Sequence, residues 1–330
     1  MNLQIFRKLY EEGLISGSAF EKVKTAEEHR HFSVHWELKA LLYLGVLLLS
    51  GGLGILIYKN IDTIGHQAIL AFMALICAGC FYYCYRKKAP FSHVRVASPD
   101  AFFDYLLLLA CLTFISFIAY LQYQYTIFGD HLKLASFVPM IVLFFCAYYF
   151  DHLGVLSMAI TNLAAWMGIV VTPTRILKQN DFHSGDLIYT ALLLGLILVA
   201  AGEISRWKNI KQHFRFTYIN FGAHVLFIAA IAGMFHFRSL YLLWFLLLLG
   251  VAAYFYRLSN RERSFYFLLI LTLYSYIGIV YVASDLLFVQ FRASDMGPLY
   301  LALGFYICSA IAMIRFLIHH NKKFKADDRL

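Results

Sequence analysis

The chain has 330 residues, of which 61% are apolar and only 14% charged, with a formal net charge of +9. That balance excludes a water-soluble globular domain and places the chain among polytopic membrane proteins. The six cysteines (Cys77, Cys80, Cys84, Cys111, Cys146 and Cys308) fall inside apolar runs or at their edges, which argues against a disulfide framework.

Residues 1–37 are polar and charged, with Ile5, Leu9, Leu14 and Ile15 around Gly13, and then Phe20 and Val23 at helical spacing. The pattern predicts a small cytoplasmic amphipathic hairpin, turning at Gly13 and capped at Ser16 or Ser18. Such a hairpin can lie on the membrane surface or dock a protein partner. No apolar signal-peptide core precedes a cleavage site here, so the first span is expected to act as its own insertion signal.

That span is Leu38 to Tyr58, long enough to cross a hydrocarbon core of roughly 30 Å. Its Gly45, Ser50, Gly51, Gly52 and Gly54 predict close approach of a neighbouring helix. Further apolar runs fall near 64–85, 101–122, 134–150, 153–172, 187–203, 217–235, 239–257, 264–284 and 298–318. The fold class is therefore all-α: a polytopic transmembrane bundle of about ten spans over 38–318, with a basic tail over 319–330. The pair 134–172, joined only by a turn at Asp151 and His152, reads as a crossing hairpin or a re-entrant one, and in the second case eight spans remain.

Of the 28 Lys and Arg residues, 22 lie in the connections on the side of the N-terminus and six on the other. The positive-inside rule then makes both termini cytoplasmic. Thirteen of the 19 acidic residues share the basic side, so the whole net charge is a topology signal. It gives no reason to expect nucleic acid as a partner. Membrane lipids are the expected surroundings.

The leading EEGLIS hairpin, the stretch ALLYLGVLLLSGGLGILIYKN ending at Asn60, and LQYQYTIFGD followed by a helix pair bearing Trp166 resemble a family known as domain of unknown function 2157 (DUF2157). The resemblance covers roughly residues 9–170. Where that family often has Trp after the asparagine, this chain has Ile61, and the second half carries no signature of the family. The resemblance implies a multi-pass protein of the bacterial inner (plasma) membrane and brings no catalytic residues with it.

Candidate chemistry is sparse. Asn220 and His224 lie one turn apart on one face, and Glu203 ends the preceding span on the same cytoplasmic side, so the three could meet as an intramembrane polar site. Asn162 and Trp166 form a second candidate, with interhelical hydrogen bonding as the plainer account. Cys77, Cys80 and Cys84 share a helical face, but no further ligand completes a metal set, and small apolar packing explains them better. Asp100 and Asp104 follow Pro99 in a first turn, where the helix dipole favours carboxylates. Asp62, His66, Asp130, His131, Asp181, His183 and Asp186 come from three outer connections, and a shared cation there has little to recommend it.

No phosphate loop, HExxH or GxSxG occurs, and neither a cofactor nor a metal is expected. Two functions stay open. One is a transporter or flippase for a neutral or lipid-like molecule; the other is a scaffold or sensor that binds a partner through the N-terminal hairpin. An enzyme is less favoured, because no acid, base and nucleophile converge.

Overall fold

The computed structural model describes residues 9–21, 35–59, 65–129, 131–171, 185–290 and 297–327. They divide into two compact units, Met1–Tyr58 and Lys59–Leu330.

In the first unit the hairpin turns where the sequence predicts. Gly13 takes φ +73°, a left-handed conformation that glycine adopts without strain. The Gly13 N–H donates to Tyr10 O at 3.0 Å, and Ser16 Oγ caps the next helix by accepting from Ala19 N–H at 3.3 Å. Tyr10 and Phe20 stack across the turn, 5.2 Å apart. The expected flanks at 1–8 and 22–34 lie outside the described residues. Helix α1 (His35–Lys59) carries the first span. Within this unit no atom comes within 4 Å of a Cβ built on Gly45, Gly51, Gly52 or Gly54, so the close packing expected at these glycines is not made there.

The second unit holds α2 (His66–Lys87), α3 (Ala101–Tyr125), α4 (Leu132–Phe150), α5 (Leu153–Val171), α6 (Gly185–Trp207), α7 (Phe214–His236), α8 (Tyr241–Glu262), α9 (Phe265–Gln290) and α10 (Gly297–Asp327). No strand occurs among the described residues. Nine of the described helices are long and apolar enough to cross a membrane, against about ten expected; the shorter run is Leu153–Gly168 in α5. Helices α4 and α5 have 19 residues each, about 28 Å of rise, and pack along one another. A matched hairpin of this kind enters and leaves on one side, so the sidedness of every later connection is unaffected.

Neighbours in sequence pair as α2 with α3, α4 with α5 and α6 with α7, and α7 also packs on α5, α8 and α9. Helix α7 is the hub, with 56% of its spanning window buried against 33% or less for any other span. Its small residues explain this. A Cβ on Gly222 would sit 2.8 Å from Val199, and across the interface one on Gly195 would sit 2.6 Å from Leu226. In lipid, where apolar side chains gain nothing by leaving the solvent, such close backbone approach is what holds two helices together. On the opposite face Phe227 meets Phe255, which meets Phe267, and all three are fully buried.

Helix α3 starts at Ala101, where the apolar run begins, and the two carboxylates of its start are used differently: Asp100 is the N-cap, accepting from Phe103 N–H at 2.6 Å, and Asp104 lies in the first turn. All six cysteines are free. Cys77 and Cys84 donate to Ala110 O and Phe103 O, at 3.6 and 3.9 Å, where α2 packs on α3.

Candidate functional site

Glu203, Asn220 and His224 are each hydrogen-bonded to a different partner, and no hydrogen bond joins them to one another. Glu203, on the last turns of α6, accepts from Arg215 Nη2 at 2.7 Å and from Tyr254 Oη at 3.4 Å. Arg215 also donates to Glu262, so one guanidinium ties the ends of α6, α7 and α8. Asn220 Oδ1 accepts from Tyr266 Oη at 2.8 Å, and His224 Nδ1 lies 2.9 Å from Tyr274 Oη. The α7 face is thus answered by tyrosines of α9, a pairing that the sequence reading did not anticipate. Asn162 and Trp166 are likewise used within the α4–α5 pair: Ser136 Oγ donates to Asn162 Oδ1 at 3.2 Å, and Trp166 packs on Phe137 with ring centres 5.3 Å apart.

Beside His224 lies a cleft of about 580 Å³ lined by Ile188, Ile228, Ile231, Ala232, Phe235, His236, Tyr274 and Ile277, from α6, α7 and α9. This is the volume of a small-molecule site. Its walls are apolar and partly exposed, Ile228 at 54% and Phe235 at 52%, so it opens sideways out of the bundle. From Ile228 to His236 it follows nine residues of α7, eight steps or about 12 Å, close to one leaflet of a hydrocarbon core. It lies at the end of α7 away from the basic connection 206–215. Tyr274 forms the inner end and is held in place, stacked on Phe227 at 5.1 Å with its hydroxyl on His224. The result is an apolar slot with a polar group at each end, His236 outside and the fixed Tyr274 inside.

A second cluster sits on the basic side, where sequence reasoning saw only a turn. Asp151 ends α4 in a left-handed conformation (φ +58°), and its side chain is 2% exposed. Lys211 Nζ, 1% exposed, lies 3.0 Å from Oδ2, and His213 Nε2 lies 2.6 Å from Oδ1. Val96 N–H donates to Oδ2 at 2.5 Å, and Lys211 N–H to His93 O at 2.8 Å. Three connections therefore meet on one carboxylate: the 88–100 strap, the α4–α5 turn and the α6–α7 connection. Beside it lies a space of about 10 Å³, room for one water. Next along the turn, His152 Nδ1 accepts from Val155 N–H at 3.1 Å and caps α5. Its Nε2 stands 3.6 Å from Asp104 Oδ1, a buried oxygen that makes no hydrogen bond.

No group of three or more metal-ligating residues occurs among the described residues. Of the outer-connection set, Asp62, Asp130, Asp181 and His183 lie outside them, and His66 Nδ1 is 2.7 Å from Tyr120 Oη.

Residues 7–156 match the model of a family described as "Predicted membrane protein (DUF2157)". No curated protein and no solved structure matches the chain. The cleft, built from residues 188–277, lies outside the matched region, whereas Asp151 lies within it.

Proposed function

Starting from a membrane protein whose first half matches a family of unknown function, we propose that this chain binds a lipid-like amphiphile in the α6–α7–α9 cleft and acts on it as a transporter or flippase in a bacterial inner membrane. The observation that carries this reading is the cleft itself. It is one leaflet deep, open to lipid and apolar along its walls, with His236 at its outer end and Tyr274 at its inner end. An acyl chain fits such walls without desolvating anything polar, while the two polar ends select where a headgroup or ester can sit.

Binding is tested with a photoactivatable phospholipid whose diazirine sits in the acyl chain, added to the protein in nanodiscs. Peptides of α7 and α9 are expected to carry the label, and Ala232→Trp, which fills the cleft, to cut labelling by roughly an order of magnitude, because the site lined by Ala232 is no longer concave. Equal labelling of the variant, at an unchanged melting temperature, rules the cleft out. Movement across the bilayer is a separate question, read in liposomes with a fluorescent lipid. His224→Ala is expected to abolish the movement while the protein still folds; undiminished movement removes His224 from the mechanism.

A scaffold role has narrower support, from the exposed Leu14 and Tyr10 at the hairpin turn, 68% and 46% exposed. Deleting residues 1–30 is expected to release a bound partner without affecting insertion, and retention of the partner ends that reading.

A further inference from the structure

The strap between α2 and α3, residues 88–100, does more than join two spans. With the end of α2 it holds Arg86, Lys87, Lys88, His93 and Arg95 and no acidic residue before Asp100. Two of its apolar side chains face outward, Phe91 at 51% and Val94 at 72% exposure. The α6–α7 connection lies against it through the Lys211 N–H to His93 O bond and brings Trp207, 81% exposed, together with Lys208. Among the described residues Arg86, Lys87, Arg95 and Lys208 are exposed, and none meets a carboxylate. By contrast Lys211 and Lys88 turn inward, to Asp151 and to the Tyr149 hydroxyl.

We propose that this strap and Trp207 form a docking surface for anionic phospholipid headgroups of the cytoplasmic leaflet. Topology alone accounts for the bases, but not for apolar side chains held outward beside them on an irregular segment. Bases that read headgroup phosphates and apolar residues that enter the acyl boundary are the two components of interfacial binding. The strap leaves α2 at Lys87 and returns at Ala101, and Trp207 ends α6, so all of them sit at the level of the headgroups. The buried Asp151 bonds hold the strap in place before any lipid arrives, so little ordering entropy is lost on contact. The surface is separate from the cleft, and its fate does not bear on the proposed function.

Arg95 is exposed and serves as the reporter: trypsin cleaves after it when the strap opens locally and the Val96 N–H leaves Asp151, and a docked headgroup lowers the population of that open form. The full chain is placed in nanodiscs of phosphatidylcholine alone or with added dioleoylphosphatidylglycerol, and cleavage after Arg95 is followed. Each base near an anionic surface contributes about fivefold in binding, so phosphatidylglycerol is expected to slow cleavage by roughly tenfold or more. The protection is expected to fade as salt shortens the Debye length from about 10 Å at 0.1 M to about 3 Å at 1 M. Arg86→Gln/Lys87→Gln/Lys208→Gln is expected to be cut at nearly the same rate in both lipids. Equal rates for the native chain in the two lipids, or salt-insensitive protection, would overturn the proposal, as would full protection of the triple variant. Protection that requires added polyglutamate, in either lipid, would assign the surface to an acidic polypeptide instead.

Discussion

Asp151→Ala is expected to lower the unfolding free energy by about 3–5 kcal/mol, the cost of leaving a buried charge without its partner. The charge left behind is Lys211, whose side chain is 1% exposed and has Val94 O at 3.5 Å as its other acceptor. Removal of the carboxylate also strands the Val96 N–H and His213, so the strap and the α6–α7 connection lose their common anchor. Asp151→Ala/Lys211→Met is expected to be more stable than the single variant, because the methionine keeps the stem of the lysine without its charge. Glu203→Gln offers the contrast. Its side chain is 37% exposed, and its loss is expected to cost no more than about 1 kcal/mol despite the short contact with Arg215. All three are read by reversible unfolding in mixed micelles. A cost for Asp151→Ala as small as that for Glu203→Gln would show that the three connections are held by something else.

Gly233→Ala is the second substitution expected to do serious damage. A Cβ there would come within 2.2–2.6 Å of three indole carbons of Trp244, which is 8% exposed and stacked on Phe237 with ring planes 2° apart. The ring has nowhere to retreat, so α7 and α8 must separate, at about 1–3 kcal/mol or more. Gly250→Ala, on α8, is the internal control. Nothing lies within 4 Å of its Cβ position, and an alanine there is expected to be neutral or to stabilise the helix by up to about 1 kcal/mol. Gly233→Ala/Trp244→Leu is expected to recover much of the loss. If the two glycine variants melted together, close packing at Gly233 would not be what joins these helices.

These cases mark where sequence patterns carry information. The apolar runs predict every long helix of the second unit, and Gly13 predicts the hairpin turn at its residue, with the cap left between Ser16 and Ser18 until the structure gives it to Ser16. Asn220 and His224 were recognisable as polar positions in a span, but their partners Tyr266 and Tyr274 were not. Tyrosine is common near span ends, where it reads as an interfacial anchor, so its use as a hydrogen-bond partner leaves no distinct pattern. Asp151 was hidden differently. At the end of a helix in a left-handed turn, where glycine is the usual residue, an aspartate passes for a tolerated connector. Its partners are 60 and 62 residues away, in a connection whose basic residues already had an explanation as a topology signal.

The sequence alone marks which segments are long and apolar enough to cross a membrane, and its Lys and Arg count gives an expected side for each connection. Both follow from transfer free energies that add residue by residue along the chain, apolar length for insertion and Lys and Arg for orientation. The tertiary structure decided which helix is the hub, where the cleft opens and which carboxylate ties three connections together. Those depend on which of many equally apolar faces meet. Hydrocarbon surrounds every face alike, so composition cannot rank them, and close-fitting small residues and paired polar groups make the choice once the helices are side by side.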